Sequence, residues 1–513
     1  MKNINRLIYI LALVRFAIPF VLVPSFYELH RDEYLYWSES FHLAWGYMEV
    51  PPMLSILAYI SNTIGSNAFW LKLWPGLFGS VCFILTARMA ISLGGKRLAV
   101  WLCFIAFAIT GYIRLFYLFH PNFLDVFFWT LSDYAIFFFI RTQNNKWLYL
   151  LGIAVGLGMM SKYSIAFYTA ALLIASVFTP QRKIFINKHF YGALAVALLI
   201  FLPNLIWQYN HLFPIVAHMQ ELQEEQLQFI SPLTFIIGQI LMLLPCLFLW
   251  VRGWYFAAFN KEGKPYRIFA CAYLFLITLL IIGRGKDYYA LGTYPVLLAF
   301  GSYQFEQYVQ KHKVWWRYFP IAICFAIGLL IYPILLPIGK PEKLSAYYKA
   351  ARFDKAGVLT WEDRKVHELP QDFGDMIGWR DLAEKTAAVY KSLPVAEQAH
   401  TLIYCRGYFS AGALNYHAKA LGLPQVHSDD ASFLWWMPNK YNIRNLILVG
   451  RRIPDSTDKV FTLFEKRTIK DSSTLDLFRE KGMKIILYEN GKDSLNTIIE
   501  KGIAAKKAQF TRQ

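Results

Sequence analysis

Apolar runs of membrane-spanning length recur along most of this chain and limit what it can fold into. About 20 consecutive apolar residues are the length of a helix that crosses a bilayer, and 56% of the residues are hydrophobic while only 17% are charged. The runs lie near 7–24, 53–66 with 69–91, 98–118, 123–140, 147–160, 164–179, 190–208, 232–251, 267–283, 288–305 and 318–337. The sequence therefore predicts a mainly α integral membrane protein with about 11 transmembrane helices.

The composition changes near residue 338 to that of a soluble domain. Short apolar segments there alternate with helical patterns, which is typical of a small α/β domain. The predicted strands are 401–405, 445–449 and 483–488, the predicted helices are 410–420 and 473–481, and 501–513 is predicted to be a frayed basic end. We expect two domains, a membrane domain over 1–337 and a soluble α/β domain over 338–513.

The basic residues of the short loops predict the orientation of the bundle. With the N-terminus inside, 17 Lys and Arg lie on the inner side and 6 on the outer side, and cytoplasmic loops carry the excess of basic residues. The six on the outer side are Arg31, Lys72, Arg114, Lys162, Arg284 and Lys286. The soluble domain is then predicted to be extracytoplasmic, and the membrane is expected to be the cytoplasmic membrane.

Carboxylates are concentrated at the outer face, first in the loop from Glu28 to Met53. This loop carries Asp32, Glu33 and Glu49 between two apolar runs. An ionised group is energetically costly near hydrocarbon, so its presence there favours a functional role. Asp125 begins the fourth span. A carboxylate in such a place can be a general base toward a hydroxyl, while an interfacial loop or a helix-start acid is the simpler interpretation.

Cations interrupt apolar runs on the same face. Lys162 lies between two runs, and Arg284 and Lys286 lie between another two, followed by Tyr288 and Tyr289. Ammonium and guanidinium groups at a dry interface suit a phosphate. The alternative is that Lys162 only extends toward the lipid headgroups.

Cofactor and metal patterns are weak in this sequence. His42 and His120 have no partners at metal-ligand spacing, and Gly407 and Gly412 do not make a dinucleotide-binding signature. The net charge of +18 fits loop orientation and contact with anionic membrane lipids or phosphate, and no nucleic-acid module is visible. We therefore expect no cofactor, no metal and no nucleic acid.

A set of ordered segments resembles a known family. It is similar to bacterial members of the dolichyl-phosphate-mannose protein mannosyltransferase superfamily, the GT-C membrane glycosyltransferases that include the aminoarabinose lipid A transferases. The segments are HRDEYLYWSESFHLAWGYMEVPPM, HPNFLDVFFWTLSDY, GLGMMSKYSIAFY, FLPNLIWQYNHLFP, GRGKDYYALGTYPVLLAFG and LPQDFGDMIGWRDLA.

The resemblance implies a function and roles for particular residues. It implies transfer of a sugar, with inversion, from a polyprenyl-phosphate donor to a lipid, glycan or protein acceptor at the outer face of the membrane, with lipid A among the possible acceptors. Asp32 and Glu33 match the acids of the family's first outer loop, Asp32 as base, and Asp125 matches the second acid less closely. The residues matching the donor-phosphate side are Lys162, Lys286, Tyr288 and Tyr289, with Arg284 beside them. Arg31, Glu49 and His120 are further site candidates.

A transporter or flippase of a lipid-linked sugar is the main alternative. It would also use acids and cations, but these should lie near the bilayer midplane and at both faces. The charged candidates here are clustered at the outer face, which favours the enzyme. A structural scaffold for envelope assembly would leave the acids unexplained.

The orientation is testable with topology reporters. A reporter fused after Gly339 should report an extracytoplasmic position, and one fused between Lys261 and Lys264 should report the cytoplasm, because 17 of the 23 basic residues counted lie on the inner side. Cytoplasmic signal after Gly339 would contradict the assignment of the candidates to the outer face.

Overall fold

The computed structural model describes residues 2–65, 67–312, 315–455 and 457–512, and helices fill most of the chain up to Leu335. These helices are α1 Lys2–Leu22, α2 Arg31–Glu39, α3 Met53–Ile64, α4 Ala68–Ser92, α5 Arg97–Ala108, α6 Gly111–Leu115, α7 Pro121–Thr142, α8 Lys146–Met159, α9 Ile165–Val177, α10 Lys188–Asn210, α11 Pro214–Glu225, α12 Pro232–Met242, α13 Leu247–Phe259, α14 Arg267–Ile282, α15 Tyr294–Gln310 and α16 Trp315–Leu335.

Helices of spanning length confirm the prediction of a mainly α membrane protein. Six helices of the described residues are long and apolar enough to cross a bilayer, namely α1, α4, α7, α10, α14 and α16. A seventh span is possible if α12 and the following helix, which meet at a bend of 72°, act together. The count of 11 is not confirmed, because α3, α5, α8 and α9 are apolar but shorter.

Some apolar runs form broken helices, and one break positions candidate residues. The predicted span 288–305 begins with a 3₁₀ turn over Asp287–Thr293 before α15 starts. Gly292 in that turn lies against the Trp129 ring of α7, where a Cβ atom would come within 2.5 Å of the ring. This close approach holds Tyr288 and Tyr289 beside the start of α7.

A mixed sheet forms the centre of the C-terminal part, as the alternating pattern predicts. Its strands are β1 Thr401–Cys405, β2 Val426–His427, β3 Asn445–Gly450, β4 Phe464–Ser472 and β5 Lys484–Gly491, and its helices are α17 Pro341–Ala350, α18 Gln371–Gly374, α19 Trp379–Lys391, α20 Val395–Gln398, α21 Tyr408–Leu421, α22 Phe433–Trp436 and α23 Ser494–Ala508. The strand order is β2-β1-β3-β5-β4, with β1 parallel to its two neighbours and β5 antiparallel to its own. The three predicted strands are confirmed as β1, β3 and β5.

Two predictions for this part are wrong. Residues 473–481 form no helix but the connection between β4 and β5, closed by backbone hydrogen bonds of Ser473 with Met483 and Gly482. Pairing of the two antiparallel strands outweighs the local helical preference, and Phe478 packs on Trp379. The C-terminal end is not frayed up to Ala508, because α23 buries Leu495 and Ile503; Gln513 lies outside the described residues.

Carboxylates of the first outer loop fasten the C-terminal part to the bundle. Glu28 accepts hydrogen bonds from the backbone N–H groups of Gly378 (2.9 Å) and Arg380 (2.8 Å), at the start of α19. Glu49 accepts from the N–H and the hydroxyl of Ser432, each at 2.7 Å, just before α22. Negative charge is favourable at a helix start because the first N–H groups have no partner within the helix. The loop therefore determines where the C-terminal part sits.

Candidate active site

The start of α2 places Asp32 and Glu33 next to each other but facing different partners. His30 precedes the helix and its Nδ1 accepts from the Asp32 N–H at 3.2 Å, while the Glu33 carboxylate accepts from the His30 N–H at 2.7 Å. This reciprocal capping satisfies two N–H groups that would otherwise lack a partner. The turn is thus held by contacts between neighbouring residues.

Glu33 is fully buried in an ion pair. Both of its carboxylate oxygens lie 2.6 Å from Nζ of Lys72 in α4, and one of them accepts from the Phe119 N–H at 2.5 Å. Burial opposes ionisation, but Lys72 and these hydrogen bonds lower the pKa of Glu33. Each oxygen of Glu33 accepts from Lys72 and from one backbone N–H group, that of Phe119 or His30, so neither oxygen is free of hydrogen bonds.

Asp32 has one oxygen engaged and one free. Its Oδ1 accepts from the Tyr408 hydroxyl at 2.6 Å and from Nε of Arg31 at 3.3 Å. Its Oδ2 lies 3.9 Å from nitrogens of both His30 and His120, beyond hydrogen-bond distance. The side chain is 27% exposed. Burial acts against the charge, but Arg31, His30, His120 and Tyr408 hold the pKa of Asp32 far below its usual range, so the group is ionised at neutral pH.

Two histidines, His30 and His120, lie next to Asp32. His120 caps α7, and its Nε2 lies 3.1 Å from Nδ1 of His30. Nε2 of His30 lies 3.3 Å from Asp375. Burial lowers the pKa of His30, but Asp375, Asp32 and Asp372 raise it above the ordinary value, whereas burial and His30 lower the pKa of His120 to about 4. His120 is therefore neutral at physiological pH.

Lys162 is at the centre of a second group, between α8 and α9. Its Nζ donates to the Asn122 side chain at 2.7 Å and lies 3.9 Å from Asp125. The same ammonium lies 4.5 Å from the Tyr289 ring centroid and 5.8 Å from that of Tyr288. Asp125 is buried beyond the first turn of α7, so the helix-start interpretation does not account for it. The structure brings four of the predicted residues together here.

Lys286 belongs to this group and Arg284 does not. Nζ of Lys286 lies 6.0 Å from the Tyr288 ring centroid and Nζ of Lys162 lies 5.8 Å from it, so both cations lie beside one ring. Burial lowers the pKa of Lys162, Asp125 opposes this shift and the charge of Lys286 adds to it. Lys286 also lies 3.5 Å from Glu362. Arg284 is exposed, with a positive φ of 52°, and donates instead to the Gln228 carbonyl.

Glu362 connects the two groups electrostatically. It pairs with Lys286 at 3.5 Å and with Arg479 at 3.2 Å. Arg479 also pairs with Asp375 at 3.0 Å, and Asp375 lies 3.3 Å from His30. The start of α7 supplies a second connection, since it carries His120 in the first group and Asp125 in the other. Asp32, Lys162 and Lys286 thus belong to one charged site.

Among the residues that the structure describes, two groups of three side chains have the spacing of metal ligands. They are His30 with Asp32 and His120, and His30 with Asp372 and Asp375, in each of which the ligand atoms lie within 4.8 Å of one another. In the structure, the His30 nitrogens already face the Asp32 N–H and Asp375. The expectation of a metal-free site stays a prediction.

Sequence comparison identifies a family over part of the chain. Residues 49–207 match the model of the dolichyl-phosphate-mannose-protein mannosyltransferase family. The lipid A galacturonosyltransferase RgtD of Rhizobium johnstonii is 26% identical over 193 residues, which are 37% of this chain and 41% of that protein. The match thus spans less than half the length of the curated relative.

Structural comparison extends the likeness to nearly the whole chain. ArnT from Cupriavidus metallidurans bound to undecaprenyl phosphate superposes with a TM-score of 0.60 at 14% identity, over 94% of this chain and 97% of that one. The apo form gives a TM-score of 0.62 at 14% identity, over 95% and 98%. The chain therefore shares the fold of these ArnT structures. In this chain the fold is a helical bundle followed by a C-terminal part built on a mixed sheet.

Several residues of the candidate site were not predicted from the sequence. They are His30, which neighbours the predicted Arg31 and Asp32, and four residues of the C-terminal part, Glu362, Asp372, Asp375 and Tyr408. The segment LPQDFGDMIGWRDLA contains Asp372 and Asp375, so its acids were a usable signal. Nothing local marks Tyr408, which lies 376 residues from its partner Asp32.

We expect the Glu33–Lys72 pair to contribute to the stability of the fold and not directly to a reaction. Glu33→Gln leaves the buried Lys72 charge without its partner, so we expect a loss of about 3–5 kcal/mol in the free energy of unfolding. The double variant with Lys72→Met should recover part of this loss. Thermal unfolding of the purified protein in detergent measures both changes.

A matched control is the exposed pair of Arg380 and Glu384, whose side chains are 71% and 49% exposed. Glu384→Gln should cost about 1 kcal/mol or less. If Glu33→Gln unfolds at the same temperature as Glu384→Gln, the assigned structural role of Glu33 is wrong.

Proposed function

We propose that this protein is a membrane glycosyltransferase that moves a sugar from a polyprenyl-phosphate donor to a hydroxyl of a lipid, glycan or protein acceptor. The observation that carries the proposal is a carboxylate with a free oxygen, Asp32, in one charged site with two lysines beside the same tyrosine ring, Lys162 and Lys286. A GT-C neighbour that binds undecaprenyl phosphate and a relative named as a lipid A galacturonosyltransferase support this choice of donor and make lipid A one candidate acceptor.

The proposed chemistry needs one proton acceptor and one stabilised leaving group. The acceptor oxygen attacks the anomeric carbon of the donor sugar, a new carbon–oxygen bond forms, and the bond from that carbon to the phosphate oxygen breaks. The acceptor's proton goes to Oδ2 of Asp32, as expected of a general base. The bonding electrons stay on the departing polyprenyl phosphate, and attack opposite to the leaving group inverts the anomeric configuration.

Lys162 and Lys286 are the proposed donor-phosphate residues, with Tyr288 and Tyr289 flanking them. Two close ammonium groups repel each other and favour an anion between them. Asp125 and Asn122 fix the position of Lys162. Glu362, which faces Lys286 at 3.5 Å, would have to give way to the phosphate.

The location of the reaction is the outer face of the bacterial cytoplasmic membrane. The basic-residue count of 17 against 6 supports this orientation. The C-terminal part contacts the first outer loop through Glu28, Glu49 and Asp32, so we place it on the same extracytoplasmic side. A transporter has no structural observation in its favour among the described residues.

Lys286→Met tests the phosphate site. Loss of one ammonium should raise the KM for the donor or abolish turnover, because the leaving phosphate carries developing charge. Purified protein, a polyprenyl-phosphate sugar and an acceptor extract, read by mass spectrometry, give the kinetics. Lys355→Met, at an exposed position of the C-terminal part, is the control. Kinetics of Lys286→Met equal to those of the control would remove Lys286 from the site.

Asp32→Asn tests the base and separates the enzyme from a transporter. The change keeps the shape but removes the proton acceptor, so transfer should fall by about 10² to 10⁴, while donor binding survives because the phosphate contacts lie on other residues. A transporter would form no glycosylated product even with the native protein. Near-native transfer by Asp32→Asn would instead direct attention to Glu49 or Asp125 as the base.

A further inference from the structure

Tyr408 connects the C-terminal part directly to Asp32. It is the first residue of α21, and its hydroxyl donates to Oδ1 of Asp32 at 2.6 Å. A hydrogen bond from a hydroxyl to an ionised carboxylate is short and strong compared with one between neutral groups. The contact joins the C-terminal part to a carboxylate of the first loop whose other oxygen receives no hydrogen bond from the described residues.

The backbone around Tyr408 is held in register with the start of α2. Gly412, one turn further along α21, lies so close to α2 that a Cβ atom there would be 2.9 Å from the Tyr34 carbonyl oxygen. The Tyr408 N–H donates to Asp430 at 3.0 Å, and the neighbouring Phe409 ring lies under the Arg31 guanidinium, 5.3 Å from its carbon to the ring centroid. α21 therefore positions both donors that Oδ1 of Asp32 has.

The two oxygens of Asp32 are made unequal by these contacts. Tyr408 and Arg31 both approach Oδ1, whereas no described residue donates a hydrogen bond to Oδ2, which faces His30 and His120 at 3.9 Å. A carboxylate that is hydrogen-bonded through Oδ1 cannot rotate freely. The direction in which the lone pairs of Oδ2 point is therefore fixed. A misplacement of the order of 1 Å in such a group can cost roughly 10² in rate.

We propose that Tyr408 is a positioning residue that clamps Oδ1 of Asp32, so that Oδ2 faces the acceptor hydroxyl, and that the C-terminal domain thereby completes the active site. This inference rests on the proposed glycosyl transfer. Tyr408 itself touches neither substrate in this assignment; it acts through Asp32. The C-terminal domain is then required for the chemical step and not only for acceptor capture.

Tyr408→Phe removes the hydroxyl and keeps the ring. We expect kcat to fall about 10- to 100-fold with the donor KM unchanged, because the donor contacts lie on Lys162 and Lys286. Tyr404→Phe is the matched control: its hydroxyl donates to Asp429 at 2.5 Å in the same domain, away from Asp32. Both variants are assayed as full-length protein with a polyprenyl-phosphate sugar and an acceptor extract, and thermal unfolding confirms that each is folded.

A double-variant comparison distinguishes positioning from a general effect on stability. In protein that already carries Asp32→Asn, Tyr408→Phe should change the residual rate by less than about twofold, since residues that act through one another are not additive. Equal losses for Tyr404→Phe and Tyr408→Phe, a native rate for Tyr408→Phe, or a full further loss in the Asp32→Asn background would each overturn the inference while leaving the proposed function intact. If the native protein transfers no glycosyl group, the proposed function itself fails, and the inference with it.

Discussion

The buried ion pair between Glu33 and Lys72 is the constraint on which the site depends. A carboxylate and an ammonium taken out of water together must satisfy each other and their remaining hydrogen bonds. Glu33 does this by accepting from Lys72 in α4, from the Phe119 N–H before α7 and from the N–H of His30. One fully buried side chain thus fixes α2, α4 and the approach to α7 relative to one another.

That arrangement divides the acids of the first outer loop into two kinds. Glu28, Glu33 and Glu49 each satisfy backbone N–H groups or a buried cation, and their contacts join parts of the fold. Burial raises the pKa of Glu49 to about 7 even though Ser432 donates two hydrogen bonds to it. Asp32 alone of this set combines an ionised state with an oxygen free of hydrogen bonds from the described residues. Most acids of this loop are therefore explained by the contacts that hold the fold together. Asp32 is the one candidate for a reactive group among them.

The electrostatics of the site follow from cations contributed by both parts of the protein. Arg31, Lys162 and Lys286 come from the membrane domain, while Arg479 comes from the C-terminal sheet region and pairs with Asp375 and Glu362. Arg114 pairs with Asp372, and Arg114, His30 and His120 hold the pKa of Asp372 at about 2, against its burial. Cations in this way lie next to acids that remain ionised. This arrangement suits the proposed transfer, because the sugar donor and the leaving group both carry a phosphate.

The sequence by itself determined the class of the fold and most of the candidate residues. Apolar runs and the alternating segments after residue 338 are local or nearly local signals, and the helices, β1, β3 and β5 confirm them. The orientation inferred from the basic-residue bias stays a prediction. Only the tertiary structure decided which candidates meet. It separated Arg284 from Lys286 through a single left-handed residue, replaced the predicted helix 473–481 by a strand connection, and brought Tyr408 to Asp32. Such choices depend on contacts outside the local window, from the pairing of β4 with β5 to the bond between Tyr408 and Asp32, which lie 376 positions apart. The free energy of those contacts leaves no pattern in either local sequence.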